Sequence, residues 1–415
     1  MKKGWEIKRL GEVCDLQNGF AFKSTDYIEF SNTVNFRMSQ IRPGGGVDLE
    51  NNPKYLPDEY AITYKDYLLK KGDIVIAMTD MATETKILGV PTIVPSDSRN
   101  WLLNQRVGKL FNIDKTKVNI AYLKYILVSE PINDYYKKLG RGGLQINIGK
   151  QDILNAKIPL PPLPEQQRIV SILDEAFAAI AKAKANAEQN LKNAKVLFES
   201  QLQLTMDNGK LKIGDGWEEK KLGEVIEYDK NQNIHKGLPY VGLEHIESNS
   251  GRFIGSLEPQ VVKSSTFYFN EQHVLYGRLR PYLNKVLLPE FEGHCSTEIF
   301  PIKVGKQIAK EFLFYWLIAG STVKKIDATW TGARMPRANM NQVLEFDFAF
   351  PPLKEQQTIV RQLDALRAET QKLEAVYQKK IADLEELKKS ILQKAFNGEL
   401  IEPAGELKTE KVLAI

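Results

Sequence analysis

The chain has almost no cysteine. Its two, Cys14 and Cys295, cannot build a disulfide framework in 415 residues, so a reducing, cytoplasmic setting is expected. Histidine is nearly as scarce. His235, His245, His273 and His294 show no metal-ligand spacing, and His294-Cys295 reads as a pair at a strand edge rather than a zinc site. No apolar run approaches the roughly 18 residues of a membrane span. No apolar core follows Met1-Lys2-Lys3-Gly4-Trp5-Glu6, so no signal peptide is expected. A Gly-x-x-x-x-Gly-Lys phosphate loop is missing, which excludes a P-loop motor. So is any Asn-Pro-Pro-Tyr type element or glycine-rich strand turn for a methyl donor; Asn52-Pro53-Lys54-Tyr55 lacks the second proline and reads as a turn. Spacing suggests no serine–histidine or cysteine–histidine nucleophile. Pro57-Asp58 with Glu84-Thr85-Lys86 mimics metal-dependent nucleases only loosely, and a chain with 52 acidic residues produces such patterns by chance. The net charge of +5 is compatible with a polyanionic partner without demonstrating one. What remains is ordinary soluble composition, long enough for two or three domains.

What the sequence does have is one stretch written twice. Pro161-Pro162-Leu163-Pro164-Glu165-Gln166-Gln167-Arg168-Ile169-Val170-Ser171-Ile172-Leu173-Asp174 returns from Pro351 to Asp364 with ten of 14 positions identical at an offset of 190. A second pair lies upstream: Gly4-Trp5-Glu6-Ile7-Lys8-Arg9-Leu10-Gly11-Glu12-Val13 returns as Gly216 to Val225, eight of ten identical, at an offset of 212. The chain is therefore two halves, each a globular segment followed by a helix. The second globular segment is the shorter.

Each Pro-Pro reads as an extended lead-in to a helix, and Glu165 and Glu355 suit the positive end of the helix dipole. In the first helix Leu173, Phe177, Ile180, Ala187, Leu191, Ala194 and Phe198 follow steps of four and three, a heptad seam interrupted once by Lys184. The second carries Leu363, Leu366, Leu373, Tyr377, Ile381, Leu384, Leu387 and Ile391, less regularly. Both close on Asn-Gly, at Asn208-Gly209 and Asn397-Gly398. From Glu165 to about Thr205 the first rod would be on the order of 60 Å long. Neither helix can bury such a seam alone, so an intramolecular antiparallel pair is expected.

Between the repeats, residues 14–158 and 226–350 have diverged. Gly44-Gly45-Gly46 reads as a turn, Gly72-Asp73 as a turn before a buried strand Ile74-Val75-Ile76-Ala77, and Ala121 to Ile132 as one short helix. Gly140 to Asn147 is a glycine-rich polar loop. In the second half His273 to Arg280, Phe312 to Ala319 and Thr331 to Asn339 take the corresponding slots with different polar residues. Arginine grips guanine bidentately, asparagine and glutamine grip adenine, and lysine or arginine holds phosphate. On that chemistry the DNA-contact candidates are Lys23, Arg37, Arg42, Gln105, Arg106, Arg141, Gln145 and Asn147 in the first half, and Arg252, Arg278, Arg280, Arg334, Arg337 and Asn339 in the second. Taken singly, each reads better as a solvated surface group than as a DNA contact. The two glycine-flanked loops are stronger as sets, because glycine lets the backbone approach phosphate closely.

The doubled Pro-Pro-Leu-x-Glu-Gln-Gln start, the doubled Gly-Trp-Glu-x-Lys-x-Leu-Gly-Glu-Val opening and Asn18-Gly19-Phe20-Ala21-Phe22-Lys23-Ser24 together resemble the DNA specificity subunit of type I restriction-modification systems, over essentially the whole chain. The resemblance implies an α+β architecture: two similar mixed α/β target recognition domains separated by two long antiparallel helices in an intramolecular coiled coil with pseudo-two-fold symmetry. The expected divisions are residues 1–158, 159–212, 213–350 and 351–415, alternating recognition domain and helical region. It also implies a non-catalytic chain that reads a split site in double-stranded DNA and docks two methyltransferase subunits, with restriction/translocase subunits added. S-adenosylmethionine, ATP and magnesium would sit on those partners, with no cofactor or metal bound by this chain and no membrane association. Two other readings stand beside it. An enzyme that modifies or cuts DNA unaided predicts activity of the lone chain with magnesium and S-adenosylmethionine. An adaptor whose rods bind only proteins predicts no sequence preference.

Overall fold

The computed structural model describes residues 4–208, 216–332 and 335–400. The chain divides into two compact units, Met1–Ala185 with Ile381–Ile415, and Asn186–Lys380. Each unit takes one globular lobe, part of the long helix that follows it and part of the other.

In the first unit the opening repeat forms the strand Glu6–Arg9, antiparallel to Lys157–Leu160. A four-stranded antiparallel sheet runs in the order Asp15–Asn18, Val107–Phe111, Ile74–Ala77, Pro91–Ile93. Ile74–Ala77 is buried throughout, as four consecutive apolar residues require when both faces are covered. A second sheet, ordered Tyr55–Leu56, Thr33–Phe36, Asn100–Leu103, Leu68–Leu69, contains one parallel pair, Thr33–Phe36 beside Asn100–Leu103. The single helix expected over Ala121–Ile132 is two, Ile120–Leu127 and Glu130–Leu139. Pro131 has no N–H for the preceding turn and suits the start of a new helix.

The second unit repeats this plan. Glu218–Lys221 pairs with Asp347–Phe350. The antiparallel sheet runs Ile226–Tyr228, Ile299–Val304, His273–Gly277, Val286–Leu287, and the mixed sheet Gln232–Asn233, Thr266–Phe269, Gly293–Cys295, Tyr240–Val241. Its parallel pair joins Tyr240–Val241 to Gly293–Cys295. His294-Cys295 therefore lies on an interior strand, not at the edge its sequence suggested. Both side chains are fully buried. The imidazole tolerates this because His294 Nδ1 lies 2.9 Å from Thr266 Oγ1 and Nε2 3.0 Å from the Gln260 carbonyl.

The long helices are Leu163–Asn208 and Leu353–Asn397. The second stops where Gly398 takes φ +79°; Gly209 lies outside the described residues. In the first unit Ile169 and Leu173 share a core with Ala395 and Phe396, Lys184 pairs with Glu385 at 2.5 Å, and the Phe396 ring stands 5.5 Å from that of Tyr122. In the second unit Leu202 and Met206 share a core with Val360 and Leu363. Early residues of one helix meet late residues of the other in both units, so the pair is antiparallel. Ile180 and Ala187 are buried, and Phe177, Leu191 and Phe198 half-buried. On the second helix Leu366, Tyr377, Ile381, Leu384 and Ile391 are half-buried, but Leu373 is 37% and Leu387 38% exposed, off the buried stripe. Thr370 occupies the stripe near Leu373. Its hydroxyl donates to the Leu366 and Arg367 carbonyls at 3.0 Å, which lets a polar residue be buried there.

The repeated Pro-Pro-Leu-x-Glu-Gln-Gln stretch also fastens lobe to helix. Gln166 is fully buried. Its Nε2 donates to the Lys117 and Pro161 carbonyls at 2.8 and 2.7 Å, and its Oε1 accepts from Asn119 N at 2.8 Å. Gln356 makes the same three bonds, to Gln307 and Pro351 carbonyls and from Ala309 N, each at 2.8 Å. Two turns on, Tyr125 donates to Asp174 and Tyr315 to Asp364. The sequence marked these positions as a helix start; nothing in it showed that the first glutamine of each doublet is the buried one.

Candidate nucleic-acid interface

In the first lobe the strand Gln145–Asn147 pairs with Thr79–Met81. Arg141 and Asn147 exchange both backbone hydrogen bonds, at 3.0 and 2.9 Å, and so close the intervening loop. Gly142 makes that closure possible: its φ is +138°, and a Cβ there would stand 1.9 Å from the Gln145 carbonyl oxygen. Met78 sits at the junction. Its N–H donates to the Arg106 carbonyl at 2.9 Å, and its carbonyl accepts from Ile148 N at 3.0 Å. Arg106, Arg141, Gln145 and Asn147 are thereby gathered around one strand. Arg106 and Arg141 are exposed, Gln145 Nε2 lies 4.0 Å from Met81 Sδ, and Asn147 Oδ1 accepts from Thr79 Oγ1 at 2.6 Å.

The remaining first-lobe candidates are spread more widely. Gln105 is exposed, its N–H donating to the Phe20 carbonyl at 3.0 Å. That places it beside the Asn18-Gly19-Phe20-Ala21-Phe22-Lys23 stretch, where Gly19 packs so tightly that a Cβ would meet the Asn104 carbonyl oxygen at 2.1 Å. Phe20 and Phe22 anchor the stretch among Tyr60, Tyr64 and Tyr67, and Lys23 stands exposed at its end. Arg37 is half-buried, and its Nη1 is buried without a hydrogen-bond partner among the described residues. Arg42 is engaged within the lobe by Asp48 at 2.7 Å and the Ser39 carbonyl at 3.1 Å. That bond holds the Asp48 carboxyl below the usual carboxylate range.

The second lobe builds the same frame with other side chains. Thr331 and Arg337 exchange backbone bonds at 3.0 and 3.1 Å. Arg278 takes the place of Met78: its N–H donates to the Glu298 carbonyl and its own carbonyl accepts from Ala338 N, both at 2.9 Å. Glu298 thus stands where the first lobe has Arg106. Its carboxylate bridges Arg278 and Arg337. Burial pushes this carboxyl up, but the two guanidiniums outweigh it and hold it below the usual range. Sequence reasoning missed Glu298, because its partners lie 20 and 39 residues away. Arg280 is exposed with φ +52°, its N–H donating to the Pro336 carbonyl at 2.7 Å. Arg252 lies apart, paired with Glu247 at 2.8 Å. Asn339 caps the helix Met340–Leu344, its Oδ1 accepting from Gln342 N at 3.2 Å. Arg334 lies outside the described residues.

The loose acidic pattern is engaged in the fold. Asp58 Oδ1 accepts from Thr33 Oγ1 at 2.8 Å and Asn32 N at 3.1 Å, and Glu84 pairs with Lys86 at 2.7 Å. Among the described residues no three His, Cys, Asp or Glu side chains are placed to hold a metal ion, and no helix is long and apolar enough to cross a membrane.

This arrangement matches a known family. The profile described as the type I restriction modification DNA specificity domain matches residues 2–192 and again 214–384. The EcoDI type I restriction enzyme specificity subunit of Escherichia coli is 28% identical over 295 residues, covering 63% of this chain and 66% of that subunit. The chain spans less than two thirds of the length of three of the curated relatives it matches. Among solved structures, one from a study of complex assembly and conformational transition of the type I R-M system aligns with a TM-score of 0.74 at 19% identity, over 96% of this chain and 99% of that one. The HsdS subunit from Thermoanaerobacter tengcongensis aligns with a TM-score of 0.56 at 19% identity, over 96% and 98%. At that identity the likeness is one of fold.

Proposed function

Because this chain belongs to the family of type I restriction-modification DNA specificity domains, we propose that it is the non-catalytic, sequence-reading subunit of a DNA methyltransferase/endonuclease. Each lobe reads one half of a split site in double-stranded DNA. The long helices fix the spacer between the halves and dock two methyltransferase subunits, to which restriction/translocase subunits add cleavage. S-adenosylmethionine, ATP and magnesium belong to those partners. The contact candidates on the lobes remain part of this proposal.

The observation that carries the reading is the repeated loop-and-strand frame. Equivalent backbone hydrogen bonds hold Arg141 to Asn147 in one lobe and Thr331 to Arg337 in the other, while the side chains on the frame differ. Two related folds that read different sequences need that combination. The test is methylome sequencing of cells that express this chain with its methyltransferase. A split motif is expected, and exchanging residues 14–158 for those of a relative changes one half of it. An undivided motif, or change in both halves, refutes the proposal.

A further inference from the structure

Arg278, Glu298 and Arg337 form a braced cation pair on the second lobe. Glu298 Oε2 accepts from Arg278 Nε at 3.0 Å. Its Oε1 accepts from Arg337 Nε and Nη2 at 2.9 and 2.8 Å. The third Arg337 nitrogen, Nη1, donates to the Met335 carbonyl at 3.3 Å. All the nitrogens of that guanidinium are engaged within the lobe. Arg278 is different. Its Nε is engaged by Glu298, and its guanidinium carbon lies 5.2 Å from the centre of the Phe300 ring. Nη1 and Nη2 have no partner among the described residues, and the side chain is 32% exposed. A guanidinium held at Nε and on one face, with both terminal nitrogens unengaged among the described residues, is aimed before anything binds. Two such donors match the adjacent O6 and N7 acceptors of guanine in the major groove.

We infer that Arg278 reads a guanine in the half-site taken by the second lobe, and that Glu298 and Arg337 are positioning residues that aim it. This rests on the DNA-reading role proposed above. A carboxylate beside DNA repels phosphate, so Glu298 weakens general attraction while it fixes the direction of the fork. Specific and general binding therefore respond to it with opposite sign, which a purely structural residue does not produce.

The test is a binding selection by the full chain from randomised duplex DNA. Titrations then follow on the selected site, on that site with one base pair exchanged, and on unrelated duplex at the same salt. Wild type is expected to select a split site with a G·C pair in one half. Arg278→Lys keeps the charge and loses discrimination at that pair, on the order of tenfold, and nowhere else. Glu298→Gln keeps the shape and loses preference at the same pair, while unrelated duplex binds as tightly or more tightly. Thermal melting checks that both variants fold. The assignment is overturned if wild type selects a split site and Arg278→Lys leaves every position unchanged. It is also overturned if Glu298→Gln weakens specific and unrelated DNA alike. If wild type selects no split site, the DNA-reading role itself fails, and the assignment with it.

Discussion

The glutamine doublet in each repeat allows a sharp test of how lobe and helix are joined. Gln166 is fully buried and makes three hydrogen bonds to main-chain groups, whereas its neighbour Gln167 is exposed. Gln166→Leu fills similar space but removes all three bonds and strands the Asn119 N–H and two carbonyls. At about 1 kcal/mol per bond the loss is on the order of 3 kcal/mol, a large share of the roughly 5–15 kcal/mol that holds a domain together. For a unit of this size that lowers the melting temperature by roughly 6–12 °C. Gln167→Leu should stay within about 0.5 kcal/mol. Hydrogen exchange localises the effect. Gln166→Leu should unprotect the Asn119 amide and leave the Ala309 amide alone, and Gln356→Leu should do the reverse. Equal losses from Gln166→Leu and Gln167→Leu, or an Asn119 amide that keeps its protection, would refute the fastening role.

Other expectations concern the rods, the first-lobe loop and acid. Inserting one or two helical turns into both long helices should lengthen the spacer of the recognised site and leave both half-site sequences unchanged, as read by methylome sequencing; an unchanged spacer counts against the helices fixing it. Gly142→Ala places a Cβ against the Gln145 carbonyl and should unprotect the Arg141 and Asn147 amides in hydrogen exchange, whereas Gly143→Ala, with nothing within 4 Å, should not. The bond from Arg99 is the largest cause holding the Asp97 carboxyl low, at about 2, below its ordinary 3.8. A depressed carboxylate contributes stability above its unfolded pKa that is lost as pH falls through the folded one. Asp97→Asn should therefore cost no more than about 1 kcal/mol at pH 7, because solvent screens the pair at this exposed residue, and chemical denaturation should find the difference shrinking as pH falls through about 2.

Much of the architecture was legible because duplication is a global signal. A constant offset between two Pro-Pro-Leu-x-Glu-Gln-Gln stretches exposes paired helices and paired lobes without any knowledge of contacts. Local chemistry was legible less far. Pro131 marked a helix break that the apolar run of Ala121–Ile132 concealed. Leu373 fitted the apolar count, but Thr370 is the residue buried, because a hydroxyl bonded to its own helix is satisfied there. For the interface, residue type could nominate Arg278 and Arg337 but could not separate an arginine with open nitrogens from one fully engaged. That difference is made by Glu298, which only folding brings between them.

The division between what repeats and what diverges has a physical basis in these bonds. On the lobe side the Gln166 and Gln356 anchors take only main-chain groups, of Lys117 and Asn119 in one unit and of Gln307 and Ala309 in the other. Lobe side chains at those positions are free to change without loosening the joint. The frame under each candidate interface is likewise closed by main-chain bonds, so Met78 can stand where the other lobe has Arg278, and Arg106 where it has Glu298. Side-chain identity is demanded on the helix, at the glutamine and at Asp174 or Asp364. In the lobe it is demanded at the tyrosine that meets that aspartate, Tyr125 or Tyr315. A joint built this way lets the reading surface change while its mounting stays the same.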